Sequence, residues 1–227
     1  MDEKDQNGVK GCAGGGFFLA FLFQCAYNIA VENHGGLSME YLDICDEDGV
    51  PTGETVSRDD AHRKGVPHRT AHVWIVREKE NGYDILLQKR SMEKESFPGM
   101  YDTSSAGHIP AGEEPLPSAL RELKEELGIS AEPEDLAFAG IFRIQYEKEF
   151  HGRLFRDNEV TWVYVYSAPV EASALTLQAA EVDEARWFDL ETVWTEIQTS
   201  RDRFCVPKAG LSLLREYLKN KREERRA

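Results

Sequence analysis

The stretch GHIPAGEEPLPSALRELKEELGI, residues 107–129, joins a glycine- and proline-rich segment to a run with helical periodicity. Its leucines recur at spacings of three and four residues, as they do on the apolar face of a helix. Pro115 and Pro117 suit the first turn, where a missing backbone N–H costs little, and Gly128 suits the left-handed residue that ends a helix. The stretch therefore predicts a loop followed by one amphipathic helix.

This helix carries three glutamates on one side, Glu122, Glu125 and Glu126, because positions three and four apart share a helix face. Like charges at that spacing repel each other by roughly a few tenths of a kcal/mol per pair. A solvated acidic face is the simpler explanation in a chain this acidic. We favour a cation site, because converging carboxylates offer the hard oxygen ligands that Mg²⁺ and Mn²⁺ prefer.

Composition limits the classes of function. The chain has 227 residues, of which 41% are hydrophobic and 30% charged, as expected for one globular domain. Its formal net charge of −14 argues against sequence-independent nucleic-acid binding, although a metal-bridged anionic small molecule remains compatible. The four cysteines, Cys12, Cys25, Cys45 and Cys205, lack CxxC spacing. They predict reduced thiols in a cytoplasmic protein.

Residues 1–38 differ from the rest of the chain. The run FFLAFLFQCAYNIAV, residues 17–31, is apolar but shorter than the roughly 20 residues of a spanning helix, and the acidic start does not fit a secretory signal. Three interpretations stay open: an additional helix, a weak membrane-surface element, or an extension upstream of a start at Met39. We favour the extension, expect no stable membrane association, and assign this segment no function.

The remaining chain, with a main domain over residues 39–218 and a charged helix end over 219–227, mixes strands and helices without strict alternation. This pattern predicts an α/β (α+β) fold with a mixed β-sheet sandwiched between α-helices. Residues 58–68 are polar and we predict no helix or strand for them. We predict that residues 91–107 form a loop. The predicted strands are 71–76, 84–90, 136–150, 159–169 and 185–190, and the predicted later helices are 191–200 and 209–227.

Residues 107–129 match the Nudix box, G-x5-E-x7-R-E-U-x-E-E-x-G-U with U aliphatic, at every fixed position. The chain therefore resembles the Nudix superfamily. The flanking segments GVPTGETVSRDDAHRKGVPHRTAHVWIV, LLQKRSMEKESFPGMYDTSSAGH and DNEVTWVYVY resemble its isopentenyl-diphosphate isomerase branch. The likeness covers residues 39 to about 210. The matched box positions are Gly107, Glu113, Arg121, Glu122, Leu123, Glu125, Glu126, Gly128 and Ile129.

The resemblance implies a Nudix fold with a metal-dependent diphosphate site. Glu122, Glu125 and Glu126, the box glutamates, would bind Mg²⁺ or Mn²⁺, and Arg121 with Glu113 would form a salt bridge that shapes the loop. Arg90 and Lys94 match positions that hold the diphosphate in the isomerases. A second metal site of the isomerases matches His62, His68, His108, Asp157 and Glu159, with His62 one residue closer to His68 than in the family pattern. His72 and His151 match nothing and are assigned to structure or surface.

Two departures from the isomerases favour hydrolysis. Their proton-donating cysteine is replaced by Ala106, and the approximate position of their carbocation-stabilising tryptophan holds Lys208, which suits an anionic group. We therefore predict a Mg²⁺-dependent hydrolase that cleaves the diphosphate linkage of a nucleoside diphosphate derivative or a related small molecule, with Glu125, Glu126, Glu159 or Glu181 as the base. The alternatives are an isomerase with another proton donor and a non-catalytic diphosphate sensor. A homodimer is compatible with the sequence.

Overall fold

A mixed seven-stranded sheet organises residues 39–225, the part of the chain that the computed structural model describes. The predicted N-terminal extension, residues 1–38, lies outside the described residues. The strands are β1 (Tyr41–Cys45), β2 (Pro51–Ser57), β3 (His68–Lys79), β4 (Gly82–Arg90), β5 (Tyr101–Asp102), β6 (Ser105–His108), β7 (Leu136–Phe150), β8 (Arg153–Tyr166) and β9 (Val182–Asp189). The helices are α1 (Arg58–Lys64), α2 (Pro115–Leu127), α3 (Leu190–Thr199) and α4 (Lys208–Glu224), with short 3₁₀ turns at Pro133–Asp135 and Ala172–Ala174.

Strand β3 is the centre of the sheet, whose order is β5-β4-β3-β8-β7. It runs parallel to β8 along one side. On its other side the first half pairs with β6 and the second half with β4, both antiparallel. Strand β9 pairs with β4, and β1 and β2 form a separate hairpin. The beginning of β3 therefore lies between β6 and β8.

The sheet is covered by helices on both faces, which confirms the predicted sandwich. Successive residues of β3 face opposite sides: Val73 and Ile75 pack in the cluster that includes Leu123 of α2, whereas Trp74 packs in the cluster that includes α3 and α4. The two faces thus bury separate cores, and α2 is anchored to one of them through its leucines.

Helix α2 begins and ends as the sequence predicts. Pro115 is its first residue, and Gly128 adopts φ 72° and donates its N–H to the Lys124 carbonyl. Leu123 and Leu127 are buried, and Leu116 and Leu120 are partly buried against the same core. The apolar stripe faces the sheet, so the box glutamates are left beside it, towards the β6 side.

Two segments carry more structure than expected. Residues 58–64 form α1, whose first turn is capped by the Ser57 side chain, which accepts a hydrogen bond from the Asp60 N–H. The predicted loop 91–107 contains β5 and most of β6, which exist through pairing with β4 and β3. Such short strands depend on distant partners, so local sequence does not show them. Among the described residues, no helix has the length and apolarity needed to cross a membrane.

Candidate metal and diphosphate site

A cavity of about 1950 Å³ opens beside α2, α1 and the β7–β8 hairpin. Its wall includes the three box glutamates, two of the predicted histidines and all the predicted substrate-binding cations. The cavity-lining members of the predicted site are Glu122, Glu125, Glu126, His62, His108, Asp157, Glu159, Arg90, Lys94 and Lys208. His68 is fully buried behind this wall.

Glu122 and Glu126 point from α2 towards β6. A Cβ atom on Gly107 would lie 2.1 Å from the Glu122 carboxyl carbon, so a side chain at this position would displace the Glu122 carboxylate. The buried Glu126 carboxylate accepts hydrogen bonds from the Ala106 N–H at 3.1 Å and from Gln88 Nε2 at 3.3 and 3.4 Å. Burial raises the pKa of Glu122, and it raises that of Glu126 to about 7.

Arg121 holds this end of the cavity together through several partners. Its Nη1 donates to Glu122 at 2.7 Å and to Glu125 at 3.2 Å, and its Nη2 donates to the His108 carbonyl at 3.3 Å. The predicted partner Glu113 is 4.0 Å away and makes the loosest of these ion pairs. The side chain of Glu125 is 51% exposed. Within residues 39–225 the box glutamates do not meet in one group with all ligand atoms within 4.8 Å, so their shared metal role stays a prediction.

Four side chains do form such a group: His62, His68, His108 and Glu159 have ligand atoms within 4.8 Å of one another. We call it the histidine cluster. Parallel pairing places His68 directly beside Glu159, and antiparallel pairing places His108 beside Thr70, two residues along β3. His62 comes from α1. Sheet register therefore brings together residues that are almost a hundred positions apart.

The possible metal-ligand atoms of the histidine cluster lie close to one another. His68 Nε2 lies 3.8 Å from Glu159 Oε1, and His108 Nε2 lies 4.0 Å from the same oxygen. His62 Nε2 lies 3.3 Å from His108 Nε2. Asp157 borders the cluster, with its Oδ1 3.9 Å from His62 Nε2.

The other ring nitrogens are held by backbone carbonyls. His68 Nδ1 is 2.9 Å from the Val66 carbonyl, and His62 Nδ1 is 3.0 Å from that of Arg58. Because a carbonyl only accepts, each Nδ1 carries the proton and each Nε2 keeps its lone pair for a ligand. Among the residues that the structure describes, the buried atoms His68 Nε2 and Asp157 Oδ1 have no hydrogen-bond partner. These orphaned atoms fit a bound divalent cation.

The protonation states fit a cation as well. Burial lowers the pKa of His62 to about 3 and also lowers the pKa values of His68 and His108, so the imidazoles are neutral at pH 7. Burial raises the pKa of Asp157 to about 6 and that of Glu159 well above its usual range. A positive ion at this point would reverse the penalty on both carboxylates.

The sequence of residues 66–207 matches the model of the NUDIX domain family. That match covers more than half of the chain.

The chain belongs to the Nudix family.

The sequence of this Nudix domain is similar to two kinds of protein. It is 42% identical over 143 residues to an uncharacterized Nudix hydrolase of Clostridium acetobutylicum, covering 63% of this chain and 66% of that protein. It is 30% identical over 149 residues to an isopentenyl-diphosphate Delta-isomerase of Cereibacter sphaeroides, covering 66% of this chain and 78% of that protein. The chain thus spans just under two thirds of the Clostridium relative.

A solved structure supports the Nudix fold. The crystal structure of DR0079 from Deinococcus radiodurans superposes with a TM-score of 0.56 at 18% identity, covering 78% of this chain and 98% of that one. At this identity the likeness concerns the fold. The predicted Nudix architecture, a mixed sheet between helices, is confirmed.

Two of the predicted phosphate contacts of this Nudix site, Arg90 and Lys94, already have protein partners. Arg90 Nη1 donates to Asp102 at 3.2 Å, and its Nε donates to the Ser96 carbonyl at 2.9 Å. Lys94 forms an ion pair with Glu181. Lys208 is exposed at the first turn of α4, where it faces the cavity. A substrate would have to share or replace the first two pairs.

Sequence reasoning missed three groups in this Nudix cavity. Tyr146 lies opposite Asp157 in the β7–β8 pairing, and burial raises its pKa. Cys205 lines the cavity, with its thiol 3.4 Å from the Tyr101 carbonyl. His72, assigned to structure or surface, is buried and borders the cavity, and its Nδ1 has no hydrogen-bond partner within the described part of the chain. The alternation of residues along β7 could have predicted that Tyr146 faces the cavity. No sequence pattern indicated this for Cys205 or His72.

Proposed function

We propose that this chain is a Mg²⁺-dependent Nudix hydrolase, also active with Mn²⁺, that cleaves the diphosphate linkage of a nucleoside diphosphate derivative or a related small molecule. The observation that carries the proposal is one cavity bordered by the box carboxylates, the histidine cluster and several cations. Nudix relatives that are themselves named hydrolases support it.

The cavity offers two sets of ligands with different chemistry. Glu122, Glu125 and Glu126 provide only carboxylate oxygens, which suit Mg²⁺. The histidine cluster with Asp157 provides imidazoles and carboxylates, a set that suits Mn²⁺, Zn²⁺ or another first-row ion. A bound divalent cation would neutralise charge on the diphosphate oxygens and lower the pKa of a water molecule.

Substrate binding would fall to the cationic side chains. Lys208 is exposed at the beginning of α4 and has room for an anionic group. Arg90 and Lys94 would turn part of their hydrogen bonding from Asp102 and Glu181 to phosphate oxygens. The ion pairs keep both cations in place before substrate arrives, which limits the entropy lost on binding.

Hydrolysis requires a carboxylate that accepts the proton of the attacking water while the bond from phosphorus to the bridging oxygen breaks. Glu125 is our first candidate, because its side chain is half-exposed and therefore accessible to water. Glu126 and Glu159 are buried, and Glu181 is paired with Lys94. These three remain the alternatives.

The second candidate function is isopentenyl-diphosphate isomerisation. Two observations favour it: a relative with that name is 30% identical, and Cys205 places a thiol on the cavity wall. Against it, the methyl group of Ala106 has no proton to give, and Lys208 brings positive charge where a carbocation would need an aromatic ring. An isomerase that uses Cys205 would lose activity on Cys205→Ala, whereas the hydrolase would keep it.

The test is a screen for phosphate or nucleoside monophosphate release, run with Mg²⁺, with Mn²⁺ and with chelator. The substrates are nucleoside di- and triphosphates, sugar nucleotides, dinucleotides and isopentenyl diphosphate. We expect metal-dependent release from at least one of them, and its loss in Glu125→Gln. Isomerisation without release would overturn the proposal, and tight binding without turnover would point to a sensor.

Location and partners follow from the same proposal. We infer a cytoplasmic enzyme, because the cysteine spacing predicts reduced thiols. We also infer that it acts on a small molecule and not on nucleic acid, because the formal net charge is −14. A homodimer stays a prediction for size-exclusion chromatography with light scattering.

A further inference from the structure

Four aromatic rings form a continuous wall at the tip end of the β7–β8 hairpin. They are Phe97, Tyr146, Phe150 and Phe155, which we call the aromatic cage. Ring centroids are 4.9 Å apart for Phe97 and Phe150, and 5.8 Å apart both for Phe97 and Tyr146 and for Phe150 and Phe155. All four rings are half-buried and line the cavity, so part of each ring is accessible from it.

The hairpin face that carries the cage is the face that carries the metal-site acids. Residues directly opposite in an antiparallel pair share a face, and so do residues two apart along a strand. Glu159 lies opposite Ile144, Asp157 opposite Tyr146, and Phe155 opposite Lys148. The acids and the aromatic residues therefore form one row, in which Phe155 is about 13 Å along the strand from Glu159 at ~3.3 Å per residue.

Direct contacts join the cage to the histidine cluster. The Phe155 ring stacks on His62 with centroids 4.3 Å apart and planes 19° apart. Phe97 completes the cage from the segment between β4 and β5, with a φ of 49° that bulky residues seldom adopt. A group attached to a diphosphate at the metal site would reach the cage by following the hairpin.

We propose that the aromatic cage binds a planar aromatic group of the substrate, of the nucleobase class, by stacking. This inference rests on the proposed function, because it concerns the organic group on the diphosphate that the cavity would hydrolyse. Phe150 and Phe97 are the specificity-determining residues, and the box glutamates and histidine cluster act on the diphosphate itself.

The surroundings favour a planar ring over a prenyl chain. Lys148 Nζ lies 4.5 Å from the centroid of Phe97 and 5.2 Å from that of Phe150, so these ring faces already attract a polar cation. Arg153, Arg156 and Glu147 line the cavity nearby. A prenyl chain needs an enclosing apolar pocket, whereas a base stacks on a ring while its polar edge stays hydrated.

The experiment measures binding without turnover. Three probes are titrated calorimetrically into the Mg²⁺-loaded protein: α,β-methylene-ADP, α,β-methylene-UDP and methylenediphosphonate, which has the anion but no base. Phe150→Leu removes the flat aromatic face but keeps an apolar side chain of similar volume. Phe150→Tyr keeps the aromatic face. Phe138→Leu is the matched control, because Phe138 is also on β7 but is 53% exposed outside the cavity. Thermal melting checks that every variant folds.

We expect at least one nucleotide probe to bind more tightly than methylenediphosphonate. Phe150→Leu should weaken that probe by about 5- to 150-fold, the range of base stacking on an aromatic ring, with no change for methylenediphosphonate. Phe150→Tyr and Phe138→Leu should match the wild type. Equal affinity of all probes for the wild type, or equal losses for all probes in Phe150→Leu, would each overturn the inference.

Failure of the proposed function would be seen separately. If the wild type hydrolyses no diphosphate but Phe150→Leu still loses nucleotide affinity selectively, the assignment of the aromatic cage is supported and the proposed hydrolase function is rejected. If hydrolysis is found and Phe150→Leu leaves nucleotide KM and affinity unchanged, the assignment of the aromatic cage is rejected and the proposed hydrolase function is supported.

Discussion

The two ends of the cavity are built in opposite ways. The box end takes Glu122, Glu125 and Glu126 from a single turn and a half of α2, and one of the three is half-exposed. The histidine cluster takes its residues from α1, β3, β6 and β8, and His62, His68 and Glu159 are buried. One end is local and includes a half-exposed side chain, and the other is long-range and more deeply buried.

This difference in burial bears on metal choice. Mg²⁺ gives up its waters reluctantly and is commonly held by one or two carboxylates and by substrate phosphates, so the open box end suits it. Neutral imidazoles with pre-set Nε2 lone pairs suit an ion that accepts nitrogen ligands and complete dehydration. The comparison predicts that each end can be broken separately.

The largest effect is expected from the box end. Glu126→Gln keeps an oxygen to accept the Ala106 N–H but loses the negative charge. Metal-dependent kcat should fall by about 1000-fold, since stabilisation of charge by a bound ion contributes several kcal/mol. Steady-state phosphate release at saturating Mg²⁺ measures it. Glu114→Gln is the control, an exposed helix-start residue whose side chain makes no capping bond. A kcat within threefold of the wild type would remove Glu126 from the site.

The next effect belongs to the histidine cluster. His68→Gln should weaken binding of Mn²⁺ or Zn²⁺ by about 100-fold or more, because loss of a direct ligand costs at least what loss of its supporting groups does. Metal content after equilibrium dialysis, measured by mass spectrometry, reports this change. His151→Asn, at the exposed hairpin turn, is the control. Unchanged metal content in His68→Gln would show that the cluster is not a metal site.

The pH dependence of stability should have opposite signs for Glu126 at the box end and His62 in the histidine cluster, in chelated protein. The pKa of Glu126 rises on folding from 4.5 to about 7, so its ionisation destabilises the fold increasingly as pH rises through that range. The pKa of His62 falls from 6.5 to about 3, so its protonation in the unfolded state destabilises the fold increasingly as pH falls below 6.5.

Urea unfolding at pH 5 and pH 8 tests both signs. From pH 5 to pH 8, Glu126→Gln should gain about 2 to 3 kcal/mol relative to the wild type, and His62→Gln should lose about 2 kcal/mol relative to it. Using the change between two pH values removes the packing cost of each substitution. Changes of the same sign in the two variants would contradict the burial argument.

The smallest effect is expected for the salt bridge between Glu113 and Arg121 that the family resemblance implies. Glu113→Gln should change the free energy of unfolding by less than about 0.5 kcal/mol, because the Arg121–Glu113 pair is partly exposed and 4.0 Å long. Arg121 keeps Glu122, Glu125 and the His108 carbonyl. Chemical denaturation is the measurement. A loss above 2 kcal/mol would make Glu113 a principal partner of Arg121 after all.

The local end was the more predictable from sequence. Proline, leucine and glycine spacing in residues 107–129 predicts α2 and its limits, and helical geometry places the glutamates together. The sequence does not show that the Glu125 carboxylate pairs with Arg121. Helix geometry determines which side of the helix a residue lies on, but it does not determine the rotamer of the side chain. The close approach of Glu122 to Gly107 likewise depends on the distance between α2 and β6.

The long-range end was found through resemblance. Nothing in the spacing of His62, His68 and His108 places Glu159 beside them, because parallel pairing of β3 with β8 decides it. The aromatic cage was missed for a similar reason. Alternation along β7 puts Tyr146 and Phe150 on one face, but only the hairpin register shows that Asp157 and Glu159 share it.

The most direct test of the central claim follows the atoms of the reaction. The metal-loaded protein is incubated in H₂¹⁸O with ADP-ribose, a dinucleoside polyphosphate and isopentenyl diphosphate in separate reactions, and the products are analysed by ³¹P NMR and mass spectrometry. Hydrolysis predicts cleavage of a P–O bond in at least one substrate and one ¹⁸O atom in one phosphate product. Conversion of isopentenyl diphosphate to its allylic isomer, with every P–O bond intact in all three reactions, would contradict the account.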